Sequence, residues 1–197
     1  MTTLETALRQ IHTDLTEARV SCALVGGLAV SARTEPRFTR DADLAVAVAS
    51  DAEAERLIHT LRSLGYRVDA IVEQEAVGRL ATVRLTRSHT PQTPVVDLLF
   101  ASSGIEREVV AAAEGIELLP NLSIGVATTG HLIALKVLSR DDITRPQDLM
   151  DLRALLKVAS ATELARARES LVLISARGYH RGRDLEQELN QLFDPQR

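Results

Sequence analysis

The chain predicts an α+β fold: a mixed β-sheet core with flanking helices over residues 1–127, followed by an all-helical part over residues 128–197. Three observations carry this. Short apolar runs bounded by turn residues recur through the first two thirds, among them Cys22–Val25, Leu44–Val48, Leu80–Thr86 and Pro94–Phe100. Apolar residues at helical spacing separate several of them. Beyond about Thr128 the strand signals stop and helical patterns with capping signals take over.

Leu4, Leu8, Ile11, Leu15 and Ala18 recur at helical spacing and predict an amphipathic first helix leading into a strand that ends at Val25. Gly26-Gly27 then predicts a turn into a short helix starting near Leu28, whose free N–H groups would suit a phosphate. Asp41-Ala42-Asp43 heads the next run, which is apolar at both parities and so fits a strand buried on both faces. Residues i and i+2 of a strand share a face, so the two carboxylates point the same way. At 4 Å two such charges repel by about 4 kcal/mol at an effective dielectric of 20, so the pair calls for a cation, a proton or good solvation. Mg²⁺ (or Mn²⁺) meets that need, because it takes oxygen ligands and bridges one or two carboxylates to nucleotide phosphates.

Ser50 is the expected N-cap of a helix closed by Gly65. Strands are expected over Tyr66–Val72, Leu80–Thr86 and Pro94–Phe100, with loops around Gly78 and from Ser88 to Thr93. Asp97 stands inside the last of these, and a carboxylate there needs a partner unless the strand is an edge facing water. Residues Ser103 to Ala113 read as helix, and Gly115 to Ala127 as strand and turn. Lys136 falls among the apolar residues of a helix capped by Thr128 or Thr129, where it either snorkels or meets a negative partner. Thr144-Arg145-Pro146-Gln147 reads as a capping box opening a helix that carries Asp148 and Asp151 on one face. Ser160-Ala161-Thr162-Glu163 reads as a second box, with an interruption at Gly178 and a last helix to Phe193. The tail arginines, among them Arg166, Arg168, Arg177, Arg181 and Arg183, form either a solvated face or a surface for phosphates.

Composition narrows the function class. Three Phe, two Tyr and no Trp leave little for base stacking, and a net charge of -4 argues against a generally basic surface. One cysteine, Cys22, forms no internal disulfide and fits a reducing cytoplasm. No stretch is long and apolar enough to span a membrane, and no targeting signal is read. A Walker-type phosphate loop is absent from the sequence.

The pattern of strand, Gly26-Gly27, helix and Asp41-Ala42-Asp43-Leu44 resembles the nucleotidyltransferase superfamily. With Arg37-Phe38-Thr39-Arg40 ahead of the acidic pair, it resembles more closely the AbiEii-type toxin nucleotidyltransferases. The resemblance implies a nucleotidyltransferase core and transfer of a nucleoside monophosphate from an NTP. It assigns Asp41, Asp43 and Asp97 to metal, and Gly26, Gly27, Arg37, Thr39 and Lys136 to the nucleotide. Asp41, Asp43, Lys136 and Asp148 become the catalytic set, Asp148 orienting the nucleotide or the lysine. It further implies an RNA acceptor such as the tRNA 3′ end and a cognate antitoxin as partner. The alternatives are a small-molecule, antibiotic-type nucleotidyltransferase, for which Glu73 and Glu75 are the nearby extra acids, and a non-catalytic binding module on the same scaffold.

Overall fold

The computed structural model describes residues 3–87, 94–141 and 143–193; the expected Ser88–Thr93 loop lies outside them. Seven strands and eight helices are found among these residues: α1 (Thr3–Glu17), β1 (Cys22–Val25), α2 (Gly26–Arg33), β2 (Asp41–Val46), α3 (Asp51–Ser63), β3 (Arg67–Gln74), β4 (Arg79–Thr86), β5 (Val95–Leu99), α4 (Glu106–Ala111), β6 (Glu114–Leu119), β7 (Leu122–Val126), α5 (Thr129–Ser139), α6 (Pro146–Val158), α7 (Ala161–Ala176) and α8 (Leu185–Gln191). The strands form one mixed sheet in the order β3-β4-β5-β2-β1-β7-β6. β1 runs parallel to β7 and β2 parallel to β5, while the remaining neighbours are antiparallel.

The core is aliphatic, as the composition requires. Leu8, Ile11 and Leu15 bury the inner stripe of α1 with Leu24, Leu44, Leu85 and Leu98 from the sheet. On β2, Ala42, Leu44 and Val46 fill one face and Ala45 the other, so the strand is covered on both sides except where Asp41 and Asp43 begin it. Helix α5 is apolar almost all round and buried accordingly, packed against α2, α6 and α7. Gly130 permits the α5–α7 approach, since a Cβ there would lie 2.4 Å from the Glu163 carbonyl oxygen.

Several ends differ from expectation for local reasons. Helix α2 begins at Gly26 rather than near Leu28, because Gly26 itself takes a left-handed φ of 62° and turns the chain at once. Helix α4 is shorter than Ser103–Ala113. Gly104 turns left-handed before it, and the Glu106 carboxylate accepts the backbone N–H groups of Ser102 and Ser103, fixing that segment as a loop. Ser50 and Ser160 cap as expected, by accepting from Glu53 N and Glu163 N. Thr144 does not: Arg145 occupies the N-cap position without a side-chain bond, and Asp141 Oδ1 accepts the Ile143 and Thr144 N–H groups instead. Helix α8 ends at Gln191, short of Phe193.

Candidate active site

Register places the acidic residues in one row. Val25 on β1 lies opposite Asp43 on β2, Asp43 opposite Asp97 on β5, and Asp97 opposite Arg84 on β4. Residues aligned across neighbouring strands share a face, so Asp43, Asp97 and Arg84 stand side by side with Asp41 two residues along. β5 is an interior strand and Asp97 is buried, which removes the water-facing edge reading. Its partner is Arg84, whose Nε and Nη2 donate to the two carboxylate oxygens at 2.9 and 2.7 Å.

Asp41 and Asp43 have no hydrogen-bond or ion-pair partner among the described residues. Burial, then the neighbouring Asp97 charge, pushes the Asp43 carboxyl up to about 6. The pair is therefore short of positive charge in the free protein.

The two glycines make room for this arrangement. A Cβ at Gly26 would sit 2.5 Å from Asp43 Cγ, and one at Gly27 would sit 2.9 Å from Arg37 Nη2 and 3.0 Å from Thr39 Oγ1. Any other residue at Gly26 would displace the carboxylate as well as strain the backbone.

The opposite wall is a compensated cluster. Lys136 is buried and its Nζ donates to Asp148 Oδ1 at 2.5 Å and meets Asp151 Oδ2 at 2.8 Å, so it pairs rather than snorkels. Asp151 also accepts both arms of the Arg37 fork, at 2.7 Å each. Burial alone would raise the Asp151 carboxyl, but the bonds from Arg37 and Lys136 more than offset it and hold it below the ordinary carboxylate range. Ser139 Oγ and Arg145 Nε complete the shell of Asp148, at 3.0 and 3.2 Å. An ammonium carries three donors, and two are spent here, which leaves one for a ligand.

These walls enclose a cavity of about 610 Å³. Gly26, Gly27, Arg37, Thr39, Asp41, Asp43, Asp97, Lys136 and Asp148, which the sequence singled out, all line it, together with Arg84, Arg145 and Arg181. Glu73 and Glu75 do not line it. Sequence reasoning passed over Arg84 and ranked Asp151 below Asp148. A basic residue inside the apolar β4 run was the available signal for the first, as the mirror image of Asp97 inside β5.

Among the described residues no three His, Cys, Asp or Glu side chains converge tightly enough to enclose a metal ion by themselves. The donor chemistry nevertheless fits a hard divalent cation of the open kind. Asp41 and Asp43 offer unneutralised carboxylate oxygens on one strand face, and Mg²⁺ takes one or two such groups with phosphate and water for the rest.

Comparison with known proteins gives the class first. Among solved structures, the chain is similar to an antigenic nucleotidyltransferase-like protein from Paracoccidioides brasiliensis, at 19% identity and a TM-score of 0.56, covering 95% of this chain and 92% of that one. It is also similar to ANT(2")-Ia, solved in complex with adenylyl-2"-tobramycin, at 17% identity and a TM-score of 0.55, covering 89% and 97%. The fold is that of the nucleotidyltransferases. No curated protein matches. The model of the family described as nucleotidyl transferase AbiEii toxin, type IV toxin–antitoxin system, matches residues 11–197, so the chain belongs to that family. Family and fold together make it a transferase that uses an NTP.

Proposed function

We propose that the chain is a Mg²⁺-dependent (or Mn²⁺-dependent) toxin that moves a nucleoside monophosphate from an NTP to the hydroxyl of an RNA, such as the tRNA 3′ end. The observation that carries this reading is the contrast inside one cavity, where two carboxylates without partners face a wall of arginine and lysine. A divalent ion held by Asp41 and Asp43, with Asp97 beside them, would supply charge stabilisation to the phosphates.

In the reaction the acceptor oxygen bonds to the α-phosphorus, the bond to the oxygen bridging the β-phosphate breaks, and pyrophosphate leaves with that oxygen. The hydroxyl proton passes to a carboxylate of the Asp41–Asp43 pair. Gly26 and Gly27 let the triphosphate approach the backbone, and Thr39 offers a hydroxyl there. The free donor of Lys136 meets a phosphate oxygen, and Asp148 positions that lysine. Arg37, pinned by Asp151, holds the segment that carries Thr39. In the cell the reaction runs in the cytoplasm, and a cognate antitoxin restrains it.

Acceptor choice rests on charge. The cavity is lined by five cationic side chains, Arg37, Arg84, Lys136, Arg145 and Arg181, against four carboxylates, Asp41, Asp43, Asp97 and Asp148. With Asp151 paired to Arg37 and Lys136 the charges balance, and Arg181, which has no carboxylate partner among the described residues, is what favours an anionic acceptor over a polycationic antibiotic. The small-molecule reading retains one support, the likeness in fold to ANT(2")-Ia. Incubation with each labelled NTP, Mg²⁺ and either total RNA or a panel of aminoglycosides separates them. Label on tRNA is the expected result. Label on an aminoglycoside replaces the toxin reading with the antibiotic one, and unchanged activity of Asp41→Asn removes the site assignment.

A further inference from the structure

Tail arginines sort into two kinds once their partners are known. Arg166 pairs with Glu163, Arg168 donates to Asn190 and stacks near Phe193, and Arg177 pairs with Glu108 and the Gly104 carbonyl. Arg183 is bound to Glu188 and donates to the Val137 and Leu138 carbonyls at 3.0 and 2.9 Å, capping the C-terminal end of α5. Arg181 alone among these five pairs with no carboxylate or carbonyl among the described residues, and it alone lines the cavity.

The loop that carries it is shaped for this placement. Gly178, Arg181 and Gly182 all take left-handed φ values, of 84°, 55° and 71°. For arginine that conformation is strained, and strain of this kind persists only where the surroundings hold it. Arg183 supplies the hold, by fastening the loop to the end of the helix that carries Lys136. Arg145 also lines the cavity, tied to Asp148 by Nε and with no further side-chain partner among the described residues. Partial desolvation, then repulsion from Arg183 and Arg145, lowers the Arg181 guanidinium from its ordinary value, and Arg181 itself has no carboxylate partner among the described residues.

We propose that Arg181 and Arg145 form a phosphate-binding rim of the cavity, with Arg181 delivered by the C-terminal loop. The planar fork of arginine matches phosphate oxygens bidentately, and an anionic phosphate group relieves the repulsion between two guanidinium groups. This deepens the nucleotidyl-transfer reading and rests on it for the source of the phosphate, which is either the NTP or the backbone of an RNA acceptor.

The test is calorimetric titration of the full chain and its Arg181→Asn and Arg181→Lys variants with inorganic pyrophosphate alone, with NTP and Mg²⁺, and with a short RNA over a range of salt. Asparagine tolerates the left-handed backbone, so Arg181→Asn should fold with unchanged or raised stability. It should bind pyrophosphate about tenfold more weakly, and Arg181→Lys should fall between. A matching loss with NTP assigns the rim to the nucleotide. A loss confined to RNA, with the salt slope reduced by about 0.7 to 0.9, assigns it to the acceptor backbone. Equal binding of all three probes by wild type and Arg181→Asn overturns the rim while leaving nucleotide transfer standing, as does failure of wild type to bind any of them with transfer intact. Pyrophosphate binding lost in Arg181→Asn, with no NTP binding by wild type, keeps the rim and removes the nucleotide reading.

Discussion

Two groups of charged residues face each other across the cavity, and they differ in whether the protein has already neutralised them. Asp148 and Asp151 are buried and answered by Lys136, Arg37, Arg145 and Ser139. Asp41 and Asp43 make no hydrogen bond or ion pair among the described residues, Asp43 feeling Lys136 and Arg145 only through space, and the carboxylate beside them, Asp97, is already paired with Arg84. Saturated carboxylates hold other groups in place, whereas unsaturated ones are available to a ligand. The difference marks α6 as the element that holds Lys136 and Arg37 in place, and in the proposed reading it leaves Asp41 and Asp43 as the pair open to a ligand.

Removing a member of the open pair should have the largest effect. Asp41→Asn and Asp43→Asn should each lower nucleotide transfer by about 10³-fold or more, with cooperative unfolding retained. Labelled NTP incorporation beside a urea melt measures both, and near-normal transfer in either variant would dissolve the distinction.

The paired side should fail through stability. Asp151→Ala leaves the Arg37 fork and Lys136 short of an anion in a buried place, and should destabilise by about 3 kcal/mol in urea titration at unchanged slope. Lys136→Met strands Asp148 in the same way. The two buried ion pairs of Lys136 make a loss of stability expected beside the loss of rate.

The pH response sharpens the comparison further. Asp43 titrates near 6 in the folded chain, above its ordinary 3.8, so the native state binds its proton more tightly than the unfolded state does. The stabilisation from that proton is fully present below about pH 4 and is lost as pH rises through about 6. Metal-free wild type should therefore fall on the order of 2–3 kcal/mol relative to Asp43→Asn between about pH 4 and pH 7. Parallel denaturant titrations at the two pH values would show it, and a constant gap would contradict it.

The smallest effect is expected for Arg84→Gln. It leaves the buried Asp97 without its counter-charge and so should destabilise, by less than Asp151→Ala because Arg84 is half exposed and water reaches the pair from that side. The informative readout is the Asp43 titration followed by NMR, which should move to higher pH as Asp97 loses its counter-charge.

What could be read from the chain follows the length of the interactions. Gly26, Gly27, Asp41 and Asp43 lie within one strand–helix–strand unit, and their grouping follows from strand geometry. The succession of strand segments along the chain and the run of C-terminal helices were legible from periodicity. Arg84–Asp97 required knowing that β4 and β5 pair in that register, and Arg37–Asp151 joins residues 114 positions apart. No local pattern encodes such contacts. The Thr144 box failed for a different reason, since an equally local competitor, Asp141, takes the backbone donors. Arg181 looked like four other tail arginines until the partners of those four were known.

Thermal melting of the metal-free protein at neutral pH, comparing wild type with Asp43→Asn and Asp151→Asn, tests the central contrast most directly. The two substitutions make the same chemical change to a carboxylate that lines the cavity and to one bonded to the cavity-lining Arg37 and Lys136. Asp43→Asn should raise the midpoint and Asp151→Asn should lower it, each by several degrees, at roughly 2–4 °C per kcal/mol for a chain of this size. Added Mg²⁺ should then raise the midpoint of wild type and of Asp151→Asn but not of Asp43→Asn. Midpoints that fall in both variants, or an equal response to Mg²⁺ in all three proteins, would contradict the division of the cavity into an open and a closed side.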